Sequence, residues 1–484
     1  MKKFASILLS MLMATGAIAA ASAETYTGTA QGIGEVSVTL TVEDGKITAA
    51  EVVGENETKG IGYEPCADGT YADAIVAAQG VDFDSISGAT VTSNAVKDAT
   101  KKAMAAAGLI EAEDTTVADA ECDVVIVGAG GAGLSAAVAA TDEGASVILI
   151  EKEGYVGGNT LVSGGIFNCP DEDMQKEVEM TAGVKLLVES ALAETPVSEE
   201  HAQLIAKVKE QYDAHNAAGK TYLFDSVEWF TLQTWNAGDK VADLKLVYTM
   251  CENAYDTMTW LHDLGWTYKS DIRQGAGSLY QRTHSSVDHA GVGFINALST
   301  GLEGRDAQIV YSTTAKELVM QDGKCVGVVA EDRDGNTITF HANKNVILAT
   351  GGFARNKEML AEYNTSGKWP DLTKITGTNM PGITGDGIRM ALWAGAELEA
   401  GGACMIWNRA ILPDGFEFNE DRMGGDIFLP GSQPFLHVNV NGERFMNEDQ
   451  CYPMSYAAGA NQPKHYSWIV WDSKGSSQSS YPAG

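Results

Sequence analysis

Asp123-Val124-Val125-Ile126-Val127 runs without a break into Gly128-Ala129-Gly130-Gly131-Ala132-Gly133, and this junction constrains the fold more than any other feature of the chain. The mostly apolar run suits a parallel strand buried on both faces. Leu134 to Glu143 reads as a helix and Ala145-Ser146-Val147-Ile148-Leu149-Ile150 as a second strand. Glu151 stands at the end of that strand, 18 positions after Gly133. Gly128, Gly130 and Gly133, with the small Ala132, permit a tight turn and a close approach of backbone to ligand, and the helix N-terminus favours an anion. Glu151 is placed to accept from ribose hydroxyls. A G-x-G-x-x-G by itself is a weak signal. Set between a strand and a helix, with an acid following, it predicts a Rossmann-like α/β unit that takes the pyrophosphate of a dinucleotide.

At 484 residues the chain exceeds one ordinary domain, so two or three are expected. Lys+Arg is 33 against Asp+Glu 65, a formal charge of −32. A phosphate backbone needs a basic face, so this balance argues against nucleic acid as a partner, and it disfavours docking on an anionic membrane surface. Residues 1–23 read as a Sec-type signal peptide: Lys2 and Lys3 are its positive start, Ile7 to Ala20 its apolar run, and Ala21-Ser22-Ala23 its cleavage site. The apolar run is too short to span a bilayer. The mature chain is then expected to begin at Glu24, in the periplasm or at the cell surface. The seven cysteines are scattered and form no C-x-x-C, which argues against a zinc ribbon, an attached haem or a disulfide framework; no metal site is indicated. Free thiols outside the cytoplasm fit an anaerobic or weakly oxidising setting.

Residues 24–108 read as a small α+β module. Val36, Val38, Leu40 and Val42 alternate with polar residues as in a half-buried strand, Asp44-Gly45 is a hairpin signal, and Ile47 and Ala49 begin the return strand. Tyr71–Gln79 is helix-like, and an Ala-rich helix is expected from about Asn94 to Ala107. Before that helix lies Asp84-Ser85-Ile86-Ser87-Gly88-Ala89-Thr90-Val91-Thr92-Ser93. A turn of small residues feeding a helix N-terminus suits phosphate, and it suits plain helix capping as well. Together with Tyr26-Thr27-Gly28-Thr29 and the hairpin, the run resembles the FMN-binding domain of extracytoplasmic electron-transfer proteins. The resemblance implies FMN held covalently by Thr90 through a phosphoester, attached by a separate flavin transferase. Residues 109–121 are acidic and lack an apolar period, as a linker does.

Residues 122–401 carry the dinucleotide unit. After Glu151 and Lys152 comes a second glycine cluster, Gly157-Gly158-Asn159-Thr160-Leu161-Val162-Ser163-Gly164-Gly165. Further on stand Thr313-Thr314-Ala315 with a hairpin at Asp322-Gly323, then Val346-Ile347-Leu348-Ala349-Thr350-Gly351-Gly352-Phe353, then Gly385-Asp386-Gly387. In this order the segments resemble the flavoprotein family of soluble fumarate reductases, urocanate reductases and 3-oxosteroid dehydrogenases. The resemblance implies FAD. It places Gly158, Asn159, Thr160, Gly164 and Gly165 along the flavin, Ala315 on the adenine side, and Lys152, Thr350, Gly351 and Asp386 among the cofactor contacts. Asn168 to about Phe224 reads as a helical insert without chemistry. Trp229, Trp235, Trp260 and Trp266 fit a core or a cofactor pocket. Arg282, His284 and His289 fit a solvated polar loop or a substrate-side one.

From residue 402 to the end, the family resemblance implies the start of a clamp domain over the flavin. Asn441-Gly442-Glu443-Arg444-Phe445-Met446-Asn447-Glu448 resembles the opening of its active-site segment. Fumarate reductases have an arginine proton donor four residues after that Glu; here the position is Tyr452, a residue type found in the oxosteroid dehydrogenases. Tyr452 fits a general acid or base, or a pocket-lining aromatic. Where fumarate enzymes carry a Thr-Glu pair and an Arg, this chain has Ile427, Phe428 and Gly431. Those apolar residues disfavour a dicarboxylate and favour a larger, partly apolar substrate. The low-complexity end, Gly475 to Gly484, stops short of the family's closing segment, so the clamp is expected to be incomplete, as in a fragment or a frameshifted tail.

The expected function is an exported reductase of anaerobic respiration. Electrons enter at FMN from a membrane-associated donor, pass to FAD, and reach as hydride the C=C bond of an enoate-type acceptor, a small-molecule partner. The alternatives are a 3-oxosteroid-type dehydrogenase, which Tyr452 favours, and a non-catalytic FMN electron carrier, which an incomplete clamp favours.

Overall fold

The computed structural model describes residues 23–32, 34–57, 62–86, 89–110, 119–275, 280–365, 367, 369, 371–374, 379–398, 435–448, 458–459, 461–465 and 467–470. The expected signal segment before Ala23, Ser87 and Gly88, most of the expected linker, Ile427, Phe428, Gly431, Tyr452 and the C-terminal run lie outside them. The chain divides into two compact units, Met1–Thr116 with Glu153–Tyr155, and Val117–Lys152 with Val156–Gly484.

In the first unit an antiparallel meander of β1 (Glu24–Gln31), β2 (Glu35–Glu43) and β3 (Lys46–Val53) is followed by α1 (Tyr63–Ala67), α2 (Thr70–Ala78) and α3 (Thr90–Ala106). The alternation predicted for β2 is present, with Val36, Val38, Leu40 and Val42 all buried. Asp44 and Gly45 both take positive φ, as a two-residue turn between right-twisted strands requires. The core joins these side chains to Tyr71, Ile75, Val96, Ala99 and Ala103. Leu109, assigned to the linker by sequence, packs on this core instead. Helix α3 begins at Thr90, four residues before the expected start. Thr92 and Ser93 turn their hydroxyls to partners outside the helix, which removes the side-chain competition that makes such residues poor helix formers.

The second unit is α/β, as expected. Its chain order is β4 (Ala120–Val127), α4 (Gly131–Asp142), β5 (Val147–Ile150), α5 (Gly158–Leu161), β6 (Ile166–Asn168), α6 (Glu172–Gln175), α7 (Ala182–Leu192), α8 (Glu199–Ala217), α9 (Val227–Ala237), α10 (Leu244–Glu252) and α11 (Ala254–Asp263). Next come β7 (Arg273–Gln274), β8 (Gln281–Ser285), α12 (Val292–Leu302), β9 (Ala307–Val310), β10 (Thr313–Gln321), β11 (Lys324–Asp332), β12 (Thr337–Leu348), α13 (Lys357–Glu362), α14 (Asp386–Trp393), β13 (Leu436–Val438) and β14 (Trp468–Val470). The main sheet has the order β10-β11-β12-β4-β5-β9. Strands β12, β4, β5 and β9 pair in parallel, and β10, β11 and β12 form an antiparallel meander at one edge. Successive residues of β4 serve opposite faces. Val124 and Ile126 pack with Leu134 and Val138 of α4 and with Leu298 of α12. Val125 and Val127 pack with Val328, Phe340 and Met390. Strand β4 starts inside the expected linker because Ala120 pairs with Phe340 of β12.

The helical insert is present. Ser and Thr caps start its longer helices, with Ser198 accepting from His201 N and Ser226 from Trp229 N. Its core gathers Val188, Leu204, Val208, Leu223, Trp229 and Leu232. His201 and His215 are buried in this lobe. Burial lowers both imidazole pKa values, with Lys240 adding to the effect at His201 and Lys220 at His215. The folded lobe therefore takes up these protons less readily than the unfolded chain, so its stability falls as pH drops through the ordinary histidine range near about 6.5. We expect a lower thermal midpoint by circular dichroism at pH 5.5 than at pH 7.5, with the His201→Phe, His215→Phe double variant nearly flat over that interval. An equal pH response in wild type and variant would remove this assignment.

Candidate functional site: a dinucleotide cradle at the sheet's carboxyl edge

Strands β4, β5 and β12 run in parallel and end side by side, at Val127, Ile150 and Leu348. The turns leaving these three ends converge, as open α/β sheets arrange their ligand sites. Gly128 takes φ +99°, and a Cβ there would lie 2.6 Å from Ala349 O. Helix α4 starts so close to this turn that a Cβ on Gly133 would lie 1.8 Å from Gly128 O. Gly130 is the α4 N-cap and contributes no side-chain cap, and Ala132 lies in the first helical turn.

Glu151 closes the cradle from β5. It is buried, and its Oε2 accepts from Ala129 N at 2.8 Å, tying the carboxyl to the glycine turn. Lys152 Nζ reaches Asp386 Oδ2 at 2.7 Å and Thr384 Oγ1 at 2.8 Å, which draws the start of α14 to the end of β5. Burial raises the Asp386 pKa, but Lys152 and Thr384 outweigh it and hold the carboxyl below the usual range. Thr350 and Gly351 form the turn after β12, where a Cβ on Gly387 would lie 2.2 Å from Thr350 Oγ1.

Gly158, Asn159 and Thr160 make up most of α5, beside the glycine turn. Gly131 N donates to Thr160 Oγ1 at 3.3 Å. Asn159 Oδ1 accepts from Met380 N at 2.8 Å, and its Nδ2 donates to Asn379 Oδ1 at 2.6 Å. Asn159 and Thr160 thus brace the cradle from within. Gly164 and Gly165 lead into β6, and Gly165 O accepts from Ser286 N at 2.7 Å. Ala315 is different: it is a buried β10 residue paired with Ala330 of β11, on the core around Val328 and Phe340.

Arg282 and His284 correct the sequence reading. Both lie on β8 and are buried, not in a solvated loop. Strand β8 joins β6 and β7 in a small sheet that the sequence did not announce. Arg282 forms a two-point pair with Asp225, Nε to Oδ2 at 3.0 Å and Nη2 to Oδ1 at 2.8 Å, between the rings of Phe230 and Tyr280. His284 Nε2 meets Asp171 Oδ2 at 3.2 Å. Partners 57 and 113 positions away give no local pattern to read. His289 is exposed. Trp229, Trp235 and Trp266 are buried core residues, and Trp260 packs against the core.

Past the cradle, β13 and β14 pair antiparallel. Arg444 and Glu448 form an ion pair that holds the Glu448 carboxyl down at about 2, with His437 N donating to the same group at 3.2 Å. Tyr452 lies just beyond the described residues.

A glycine turn that side chains would fill, an α4 N-terminus without a side-chain cap, and an acid pinned beneath the turn fit an adenine dinucleotide. Residues 123–214 and 212–462 match the family model described as FAD binding domain. The chain belongs to that FAD-binding family. Ahead of it, residues 32–105 match the FMN-binding domain. The protein is thus a flavoprotein with sites for FAD and FMN.

The chain is 34% identical to NADH:acrylate oxidoreductase of Vibrio harveyi over 86% of its own length and 43% of that protein's. It is 32% identical to urocanate reductase of Eggerthella lenta over 78% of its length and 56% of that protein's. It therefore spans about half the length of the curated relatives it matches. A solved structure, the open conformation of a flavocytochrome c3 fumarate reductase, superposes with a TM-score of 0.51 at 25% identity, covering 74% of this chain and 54% of that one.

Proposed function

We propose that this chain is the flavin-bearing part of an exported reductase that saturates the C=C bond of an enoate-type acceptor. The reading rests on one observation above all: an FMN-binding domain and an FAD-binding domain follow one another in a single chain. Relatives that this chain resembles over most of its length are named for acrylate and urocanate reduction. The start of the chain supports export, and the turn before α3 supports FMN on Thr90, set there by a flavin transferase. With both flavins bound, FMN would be the entry point for electrons from a membrane-associated donor and FAD the exit toward the acceptor, in the service of anaerobic respiration.

When bound, FAD would supply hydride chemistry for one carbon of the activated double bond. The residues of the chain hold and orient the cofactor. Gly128, Gly130 and Gly133 admit the pyrophosphate, Glu151 takes the ribose, and the Lys152–Asp386 pair keeps the β5 and α14 ends together around it. Tyr452 is the candidate proton donor to the second carbon. Ile427, Phe428 and Gly431 favour a larger, partly apolar enoate over a dicarboxylate. Tyr452 also supports the reverse chemistry on a steroid-like ketone; the FMN-binding domain weighs against it, because an attached electron carrier suits a reductase.

The deciding experiment is viologen oxidation by the full-length protein, loaded with both flavins, across acrylate, a β-aryl acrylate, urocanate, fumarate and a 3-oxosteroid. We expect turnover with a monocarboxylate enoate at a rate at least ten times that with fumarate. Loaded protein that oxidises viologen with none of the enoates would end the proposal.

A further inference from the structure

Glu57 is a buried carboxyl group that the cradle does not use. It is 4% exposed, and no ion pair to it occurs among the described residues. Its Oε1 accepts from Gly34 N at 2.9 Å, in the turn between β1 and β2. Its Oε2 accepts from Thr92 Oγ1, in the first turn of α3. Gly62 passes so close that a Cβ there would lie 2.1 Å from Thr92 Oγ1. On the other side of the same helical turn, Ser93 Oγ accepts from Ile86 N at 3.1 Å and bonds Tyr71 Oη at 2.8 Å. Thr92 and Ser93 are 3% and 0% exposed. Ala89, the α3 N-cap, supplies no side-chain cap.

Stability alone does not explain this arrangement. A buried polar group costs free energy unless it is hydrogen-bonded, and replacing both partners of a buried hydrogen bond by apolar groups of the same shape can be nearly neutral. What the carboxyl does supply is a fixed distance between two chain segments, one of which opens on Thr90.

We propose that Glu57 is a positioning residue for flavin attachment: by bridging the β1–β2 turn to Thr92 it fixes the first turn of α3, and so the backbone from which Thr90 meets the flavin transferase. The proposal rests on the reading that Thr90 carries FMN. A phosphodiester there needs an activated FMN, and FAD is FMN activated as a phosphoanhydride. The Thr90 oxygen bonds to the FMN phosphorus, the phosphoanhydride bond breaks, AMP leaves, and the hydroxyl proton passes through the transferase to solvent. No electrons change hands.

The test uses the full chain made without transferase, then incubated with purified flavin transferase, FAD and magnesium. FMN incorporation is followed by intact mass. Glu57→Ala and Thr92→Val are expected to lower the maximal rate at least ten-fold with little change in the half-saturating FAD concentration. Thr92→Ser, which keeps the hydroxyl, is expected to restore it. Thr100→Val is the control for structure: Thr100 is also a buried α3 hydroxyl, bonded to Val96 O at 2.7 Å within the helix. It is expected to react at the wild-type rate. Wild-type rates in Glu57→Ala and Thr92→Val overturn the positioning role while leaving Thr90 as the attachment site. Equal slowing in Thr100→Val, or a loss that tracks the thermal midpoint across the set, also overturns it. A wild-type chain that takes no FMN at Thr90 sinks the attachment reading, and the positioning role with it.

Discussion

Gly133→Val yields protein without FAD. A Cβ at this position would lie 1.8 Å from Gly128 O, and Gly128 is itself wedged against the turn after β12, with a Cβ there 2.6 Å from Ala349 O. The turn has no free side on which to relieve the clash, so α4 must lift from β4 or the Gly128 peptide must rotate. Either movement displaces the backbone N–H groups at the start of α4, where the pyrophosphate is proposed to bind. Overpacking of this kind costs on the order of 1–3 kcal/mol in stability. The loss of ligand is larger, because the site's geometry is what changes: FAD occupancy after purification is expected to fall at least a hundred-fold. Flavin released by acid and separated by chromatography reads the result, and the FMN proposed on Thr90, in the other unit, serves as the internal standard. Full FAD occupancy in Gly133→Val would mean that the glycine turn is not where the dinucleotide sits.

Thr90→Ala leaves no flavin that survives denaturation. Thr90 is the first residue of α3. The next hydroxyl along, Thr92, is buried and bonded to Glu57, so it is no substitute acceptor. Fluorescence of the protein band in a denaturing gel is therefore expected to vanish, not merely to weaken, and the intact mass to equal that of the bare chain. Thr90→Ser is expected to keep the label, since the reaction needs an oxygen nucleophile and no methyl group. A labelled Thr90→Ala chain would move the attachment point elsewhere.

The glycine turn was legible because its causes are local. Gly128, Gly130 and Gly133 sit in one turn, the strand before it is apolar throughout, and the acid comes within the same βαβ unit. The β2–β3 hairpin and the β10–β11 hairpin were legible for the same reason. Each is set by an Asp-Gly pair, Asp44-Gly45 or Asp322-Gly323, whose backbone takes positive φ. Helix α3 starts at Thr90, ahead of the expected Asn94, because Thr92 and Ser93 are poor interior residues until distant groups take their hydroxyls.

Period, turn chemistry and spacing, which act over a few tens of residues, were enough to specify the strand–turn–helix unit of a dinucleotide site and the glycines of the cradle, while FMN and FAD entered through the resemblance of the two modules to known families. It took the folded chain to reveal that Arg282 and His284 are buried, that Asn159 and Thr160 brace the cradle, that Lys152 joins Asp386 across 234 positions, and that Glu57 holds the start of α3. In each case a polar side chain is taken out of water by a partner far along the chain, and hydrogen bonding between remote segments leaves no periodic trace along the polypeptide.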